Sequence, residues 1–215
     1  MKKLYIFDLD GTLVNSLCDL ADSVNYVLEK YGYPVHDIEE YKYFVGNGTL
    51  KLIERALPES DRTNEKIEKL HSEFSQEYTK RALDKTRPYD GIVQLLNKIK
   101  ENDCKLAVAS NKPDKFSKYI VESLFGTDIF DIISGKKDGV PTKPSPDIIL
   151  DILNQLGVSK EDAVMSGDSN VDVFTAHNAG LKCVGCTWGF RGRQELAEAG
   201  ADVIADIPEE IWDLI

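Results

Sequence analysis

Residues Lys3 to Thr12 read KLYIFDLDGT. The first half, through Asp8, is short, apolar and rich in β-favouring side chains, the pattern of a buried strand. Asp10-Gly11-Thr12 then breaks it. The residues after this break decide the fold. From Ser16 to Tyr31 the apolar residues Leu17, Leu20, Ala21, Val24, Val27, Leu28 and Tyr31 recur at helical spacing, and Gly32 and Pro34 end the run. Further helices are expected over Asp37–Val45, Thr49–Leu57 and Arg62–Leu83, with no strand anywhere between Ser16 and Lys85. That stretch holds 10 Lys/Arg against 14 Asp/Glu, a mildly acidic and solvated bundle.

Beyond it the pattern changes. Strands are expected at Lys105–Ser110, Asp131–Ser134, Ala163–Gly167, Cys183–Thr187 and Asp202–Ala205. Helices alternate with them: one capped by Asp90, one over Asp114–Leu124, one opened by Ser145 and Pro146, one closed by Gly180, and two near the end. Strands alternating with helices imply a mostly parallel sheet covered on both faces. The reading is therefore an α/β, Rossmann-like core with an α-helical insertion after its first strand. Residues 1–14 and 87–215 are assigned to the core and 15–86 to a helical cap.

A chain of 215 residues is long enough to bury a core without disulfides or structural metal. Its 26 Lys+Arg and 37 Asp+Glu give a net charge of −11, which disfavours non-specific binding to nucleic acid or anionic membrane. No apolar run approaches the ~18 residues of a membrane-spanning helix. The start imitates a secretory signal for only four apolar residues before Asp8, so a cytoplasmic location is expected. His36, His71 and His177 are scattered, which argues against zinc. Cys183 and Cys186 lie three apart in a strand, on opposite faces, and read as buried free thiols rather than a redox pair.

Four polar segments fall at the C-terminal ends of predicted strands: Asp8 to Thr12, Ser110-Asn111-Lys112, Lys143-Pro144 after the third core strand, and Gly167 to Asp172. Each alone has a plain structural explanation as a turn, a helix cap or a solvated lysine. Together they line the edge where ligands of open parallel sheets bind.

In these segments the chain resembles the haloacid dehalogenase superfamily. Its four motifs are Asp8-Leu9-Asp10-Gly11-Thr12, Ser110-Asn111, Lys143, and Asp168 with Asp172. Shorter matches resemble the phosphoglycolate phosphatase group: Val45-Gly46-Asn47-Gly48, Arg87-Pro88-Tyr89-Asp90-Gly91, Lys143-Pro144-Ser145-Pro146 and Thr187-Trp188-Gly189-Phe190-Arg191. The resemblance implies a phosphatase of small metabolites. Asp8 is then the nucleophile, forming an aspartyl-phosphate, and Asp10 the acid–base group. Ser110, Asn111, Lys143 and Thr12 hold phosphate, with Thr12 also expected to brace the turn through a hydrogen bond. Mg²⁺ is implied, on the Asp8 carboxylate, the Asp10 carbonyl and the Asp168 carboxylate, with Asp172 orienting that shell.

Asn47, Lys51, Arg55 and Arg191 are either contacts to an anionic leaving group or solvent-facing polar residues, and the sequence leaves both readings open. A sugar-phosphate mutase, a pyrophosphatase, a nucleotidase and a non-catalytic module on the same fold also remain open. The intact motifs weigh against the module, and Asp10, which a dehalogenase does not need, against a dehalogenase. The expected partner is a small phosphorylated metabolite, with no nucleic acid or membrane, and the chain a monomer or homodimer.

Overall fold

The computed structural model describes residues 2–215. Eight strands run in chain order: β1 (Leu4–Phe7), β2 (Val14–Asn15), β3 (Arg87–Pro88), β4 (Lys105–Pro113), β5 (Ile132–Lys136), β6 (Ala163–Gly167), β7 (Lys182–Cys186) and β8 (Val203–Ala205). Six of them form one sheet in the order β5-β4-β1-β6-β7-β8, and every neighbouring pair is parallel. Period-two alternation divides each strand between two apolar layers. Tyr5 and Phe7 of β1 face one layer and Leu4 and Ile6 the other.

The first layer is covered by α5 (Ile92–Glu101), α6 (Asp114–Phe125) and α10 (Glu210–Leu214). The second is covered by α7 (Asp147–Leu156), α8 (Asn170–Ala179) and α9 (Gly192–Glu198). Cys186 lies in the first layer and Cys183 in the second, both buried and both free. The accessible surface of 9690 Å² matches the roughly 10,000 Å² expected for a folded chain of this length. No helix among the described residues is long and apolar enough to cross a membrane.

The helical insertion comprises α1 (Leu17–Lys30), α2 (Ile38–Phe44), α3 (Thr49–Ala56) and α4 (Asn64–Arg81). It leaves and re-enters through β2 and β3, which pair antiparallel as Val14 with Pro88 and Asn15 with Arg87. Two-residue strands carry no periodicity, so this ribbon has no sequence signal. The buried Asp19 carboxylate clamps the same crossing. It accepts hydrogen bonds from Lys85 N at 3.0 Å, Thr86 N at 2.8 Å and Thr86 Oγ1 at 2.7 Å. Asp19→Ala leaves those buried donors unpaired and is expected to cost about 3 kcal/mol. Urea unfolding of the variant checks this, and a loss under ~0.5 kcal/mol would remove Asp19 from that role.

Three local expectations need correction. The helix expected to start at an Asp90 cap begins instead after Gly91, which stands at its N-cap in a left-handed conformation with no side-chain cap. Pro146, expected at the first helical position, is itself the N-cap of α7. The strand expected to stop at Ser110 continues to Pro113, with a register shift between Ala109 and Pro113 as it pairs with β5. That extension carries Asn111 and Lys112 inward.

Candidate active site

β1 occupies the centre of the sheet, and the chain leaves it towards β4 on one side and returns to β6 on the other. This reversal opens a crevice at the C-terminal ends of β1, β4 and β6. Asp8 sits there, its N–H still bonded to Ser166 O at 2.9 Å as the ladder's last rung. Asp168 follows β6. Asp172 stands in the first turn of α8, where its Oδ2 accepts from Ser169 N and Oγ in a capping box. Asp168 lies just before that helix, and Asp172 lies within it. The two converge. Asp8, Asp168 and Asp172 each place a carboxylate oxygen within 4.8 Å of the others, all three buried.

Glycines create the room. Gly11 has φ +90, and a Cβ there would lie 2.4 Å from Asp168 Oδ2. A Cβ on Gly189 would lie 2.2 Å from Asp168 Cβ. Asp168 Oδ2 accepts from Phe190 N at 2.6 Å.

One cation answers the cluster. Lys143 Nζ donates to Asp172 Oδ1 at 2.7 Å and Ala109 O at 2.9 Å. It lies 2.8 Å from Asp8 Oδ1, close enough to pair in charge but not aligned as a hydrogen bond, which leaves that oxygen unbonded. Burial pushes the Asp8 carboxyl up to about 6, Lys143 opposes the rise, and Asp172 adds to it. Burial, then Asp172 and Asp8, push Asp168 up as well. Lys143 is pulled down by burial but driven above its ordinary value by Asp172 and Asp8. Three buried carboxylates around one ammonium leave excess negative charge, and the oxygen donor set suits a hard divalent cation.

Asn111 holds Lys143 in place. Its Oδ1 accepts from Lys143 N at 2.8 Å, and its Nδ2 donates to Lys143 O at 3.1 Å and to Gly46 O of the insertion at 3.1 Å. Ser110 is buried, its Oγ accepting from Lys112 N at 3.2 Å. Thr12 differs from expectation. Its hydroxyl is buried and makes no hydrogen bond among the described residues, and the turn is held by backbone bonds such as Gly11 N to Val14 O and Leu13 N to Leu9 O.

Asp10 stands beside the cluster with partners of its own. Ser16 Oγ donates to Oδ1 at 2.5 Å, and Lys112 Nζ lies 2.9 Å from both oxygens. Sequence reasoning placed Lys112 in a polar segment at the sheet edge but gave it no role, because lysine is normally solvated. Asp8, Asp10, Ser110 and Lys112 share a cavity of about 30 Å³ with Val45, Thr49 and Leu52 of the insertion.

The four residues left open sort plainly. Lys51 pairs with Glu54 in solvent. Arg55 donates to Phe44 O and to Asn47 Oδ1, building its own turn. Arg191 reaches across from the core side to donate to Val45 O at 2.9 Å. Asn47, Arg55 and Arg191 border an outer cleft of about 460 Å³.

His71 on α4 lies 2.8 Å from Thr49 Oγ1 through Nε2, and burial, then Lys136, lowers its pKa below 6.5. The folded state therefore binds this proton less readily than the unfolded chain. The contribution is complete above pH 6.5 and is lost as pH falls below it. Wild type should lose more thermal stability than His71→Gln between about pH 7 and pH 5, and parallel melting curves would contradict this.

Comparison with known proteins gives the family. A family model described as haloacid dehalogenase-like hydrolase matches residues 5–186. The chain is 35% identical over 204 residues to a phosphoglycolate phosphatase of Psychrobacter arcticus, spanning 92% of this chain and 88% of that one. It is 33% identical over 211 residues to phosphoglycolate phosphatase 1 of Pseudomonas aeruginosa, spanning 96% and 77%. A crystal structure from Lactobacillus delbrueckii subsp. bulgaricus, provisionally described as a phosphoglycolate phosphatase, superposes with a TM-score of 0.94 at 32% identity over 100% of this chain and 99% of that one. The chain belongs to the haloacid dehalogenase-like hydrolases. Within that family it is a phosphatase.

Proposed function

We propose that the chain is a Mg²⁺-dependent phosphomonoesterase that works through an aspartyl-phosphate on Asp8, with 2-phosphoglycolate as its leading substrate. The observation that carries this reading is the pairing of two unlike carboxylates. Asp8 lies in the anionic cluster beside Lys143, while Asp10, two residues on, faces the same cavity with separate donors.

The Asp8 carboxylate attacks phosphorus, and the ester oxygen departs as Asp10 gives it a proton. Asp10 then takes a proton from the water that hydrolyses the acyl phosphate. Ser110, the Asn111 backbone and Lys143 hold the phosphoryl oxygens as charge gathers on them. Thr12 belongs to the same phosphate-binding group through its turn. Mg²⁺ would be held by the Asp8 carboxylate, the Asp10 carbonyl and the Asp168 carboxylate, with Asp172 outside that set. When bound, it supplies the positive charge that lets a phosphate dianion approach an anionic nucleophile.

Residues 15–86 act as a cap over a core of residues 1–14 and 87–215, excluding water when closed. The names of the relatives support 2-phosphoglycolate over a sugar phosphate or a nucleotide. A cytoplasmic metabolite phosphatase fits the charge of −11, since the local field at the site decides binding. The test is phosphate release from a panel of metabolite monoesters with and without Mg²⁺. The reading expects metal-dependent turnover highest on 2-phosphoglycolate, and no turnover on any member would overturn it.

A further inference from the structure

Lys112 is the second ammonium buried at this site, its side chain 1% exposed. Nζ contacts both Asp10 oxygens at 2.9 Å, a two-point grip that fixes the rotation of the carboxylate as well as its position. Nζ also lies over the ring of Tyr78 on α4, 4.8 Å from its centroid. That ring is itself immobilised, stacked on Phe74 at 5.4 Å and edge-on to Phe116 of α6 at 5.2 Å. Lys112 is thus caged between an aromatic ring of the insertion and one carboxylate of the core.

We propose that Lys112 is the positioning residue for Asp10, holding its carboxyl group against the leaving-group oxygen. The inference rests on the acid–base role given to Asp10 above. A proton donor must be aligned within a few tenths of an ångström of its target, and backbone placement alone leaves side-chain rotation free. Ser16 restrains Oδ1 only, and Lys112 restrains both oxygens. Lys112 acts through Asp10, whose two carboxyl oxygens it contacts.

A pair of substrates of nearly equal size isolates the effect. 2-Phosphoglycolate expels an alkoxide, which needs a proton. Acetyl phosphate expels acetate, which does not. Because kcat/KM covers only the steps up to leaving-group departure, the shared hydrolysis of the phosphoenzyme drops out of it. For Lys112→Met, kcat/KM on 2-phosphoglycolate should fall about 10²-fold and on acetyl phosphate less than about threefold. Lys112→Gln, which keeps a donor, should show a smaller split of the same sign, and it carries the test where Lys112→Met does not fold. In an Asp10→Asn background, Lys112→Met should add no further loss on 2-phosphoglycolate. Equal losses on both substrates, or a full additional loss without Asp10, would overturn the inference while leaving the phosphatase reading intact. A wild-type protein inactive on both substrates would overturn the two together.

Discussion

Asp8→Asn should abolish phosphate release while leaving the fold intact. The substitution keeps shape and removes the nucleophile, and loss of a nucleophile that works as part of a unit lowers turnover by about 10⁴-fold or more. The structure adds a second and less obvious expectation. Burial pushes the Asp8 carboxyl up to about 6, so at neutral pH without metal its ionised form costs stability. In linkage terms, a raised carboxyl contributes stability below its unfolded value of 3.8 and loses it as pH rises through about 6. Asn carries no charge, so the metal-free variant should melt higher than wild type at neutral pH. Phosphate release and thermal melting measure both effects. Turnover within tenfold of wild type would exclude Asp8 as the nucleophile, and a lowered melting temperature would contradict the electrostatic account.

The second large effect is expected at Lys143. Its ammonium bonds Asp172 and Ala109 and lies 2.8 Å from Asp8, so Lys143→Met strands a buried acidic cluster. Removing one partner of a buried ion pair costs about 3–5 kcal/mol. Loss of its charge from the phosphoryl site should lower kcat/KM by a further ~10²–10³-fold. Lys143→Arg should not restore the rate, because a planar guanidinium cannot meet three acceptors placed around one nitrogen. Equilibrium unfolding and kinetics on one preparation separate the two losses. A variant that is destabilised but keeps kcat within threefold would confine Lys143 to a structural role.

The strand-and-helix plan was legible because it is local. Apolar spacing in α1 and the buried runs of β1 and β6 report their surroundings directly. The convergence of Asp8, Asp168 and Asp172 was legible for a different reason: a parallel sheet brings its strand ends to one edge wherever they lie in the chain. What stayed hidden depends on contacts without a local pattern. Lys112 meets a carboxylate 102 residues away, and its burial comes from β4 running three residues past the expected stop. Gly189 reads as a loop glycine, yet it leaves the space that Asp168 fills. The Asp19 clamp joins residues 66 and 67 apart and appears in the sequence only as one more acid on an amphipathic helix.

The most direct measurement is a rapid acid quench of the Mg²⁺-loaded protein with radiolabelled 2-phosphoglycolate, followed by peptide mapping. The account predicts a label that forms within the first turnover, is released by hydroxylamine as an acyl phosphate is, and maps to the peptide carrying Asp8. A chain that turns over substrate with no covalent label at any quench time, or with the label on another residue, would contradict it.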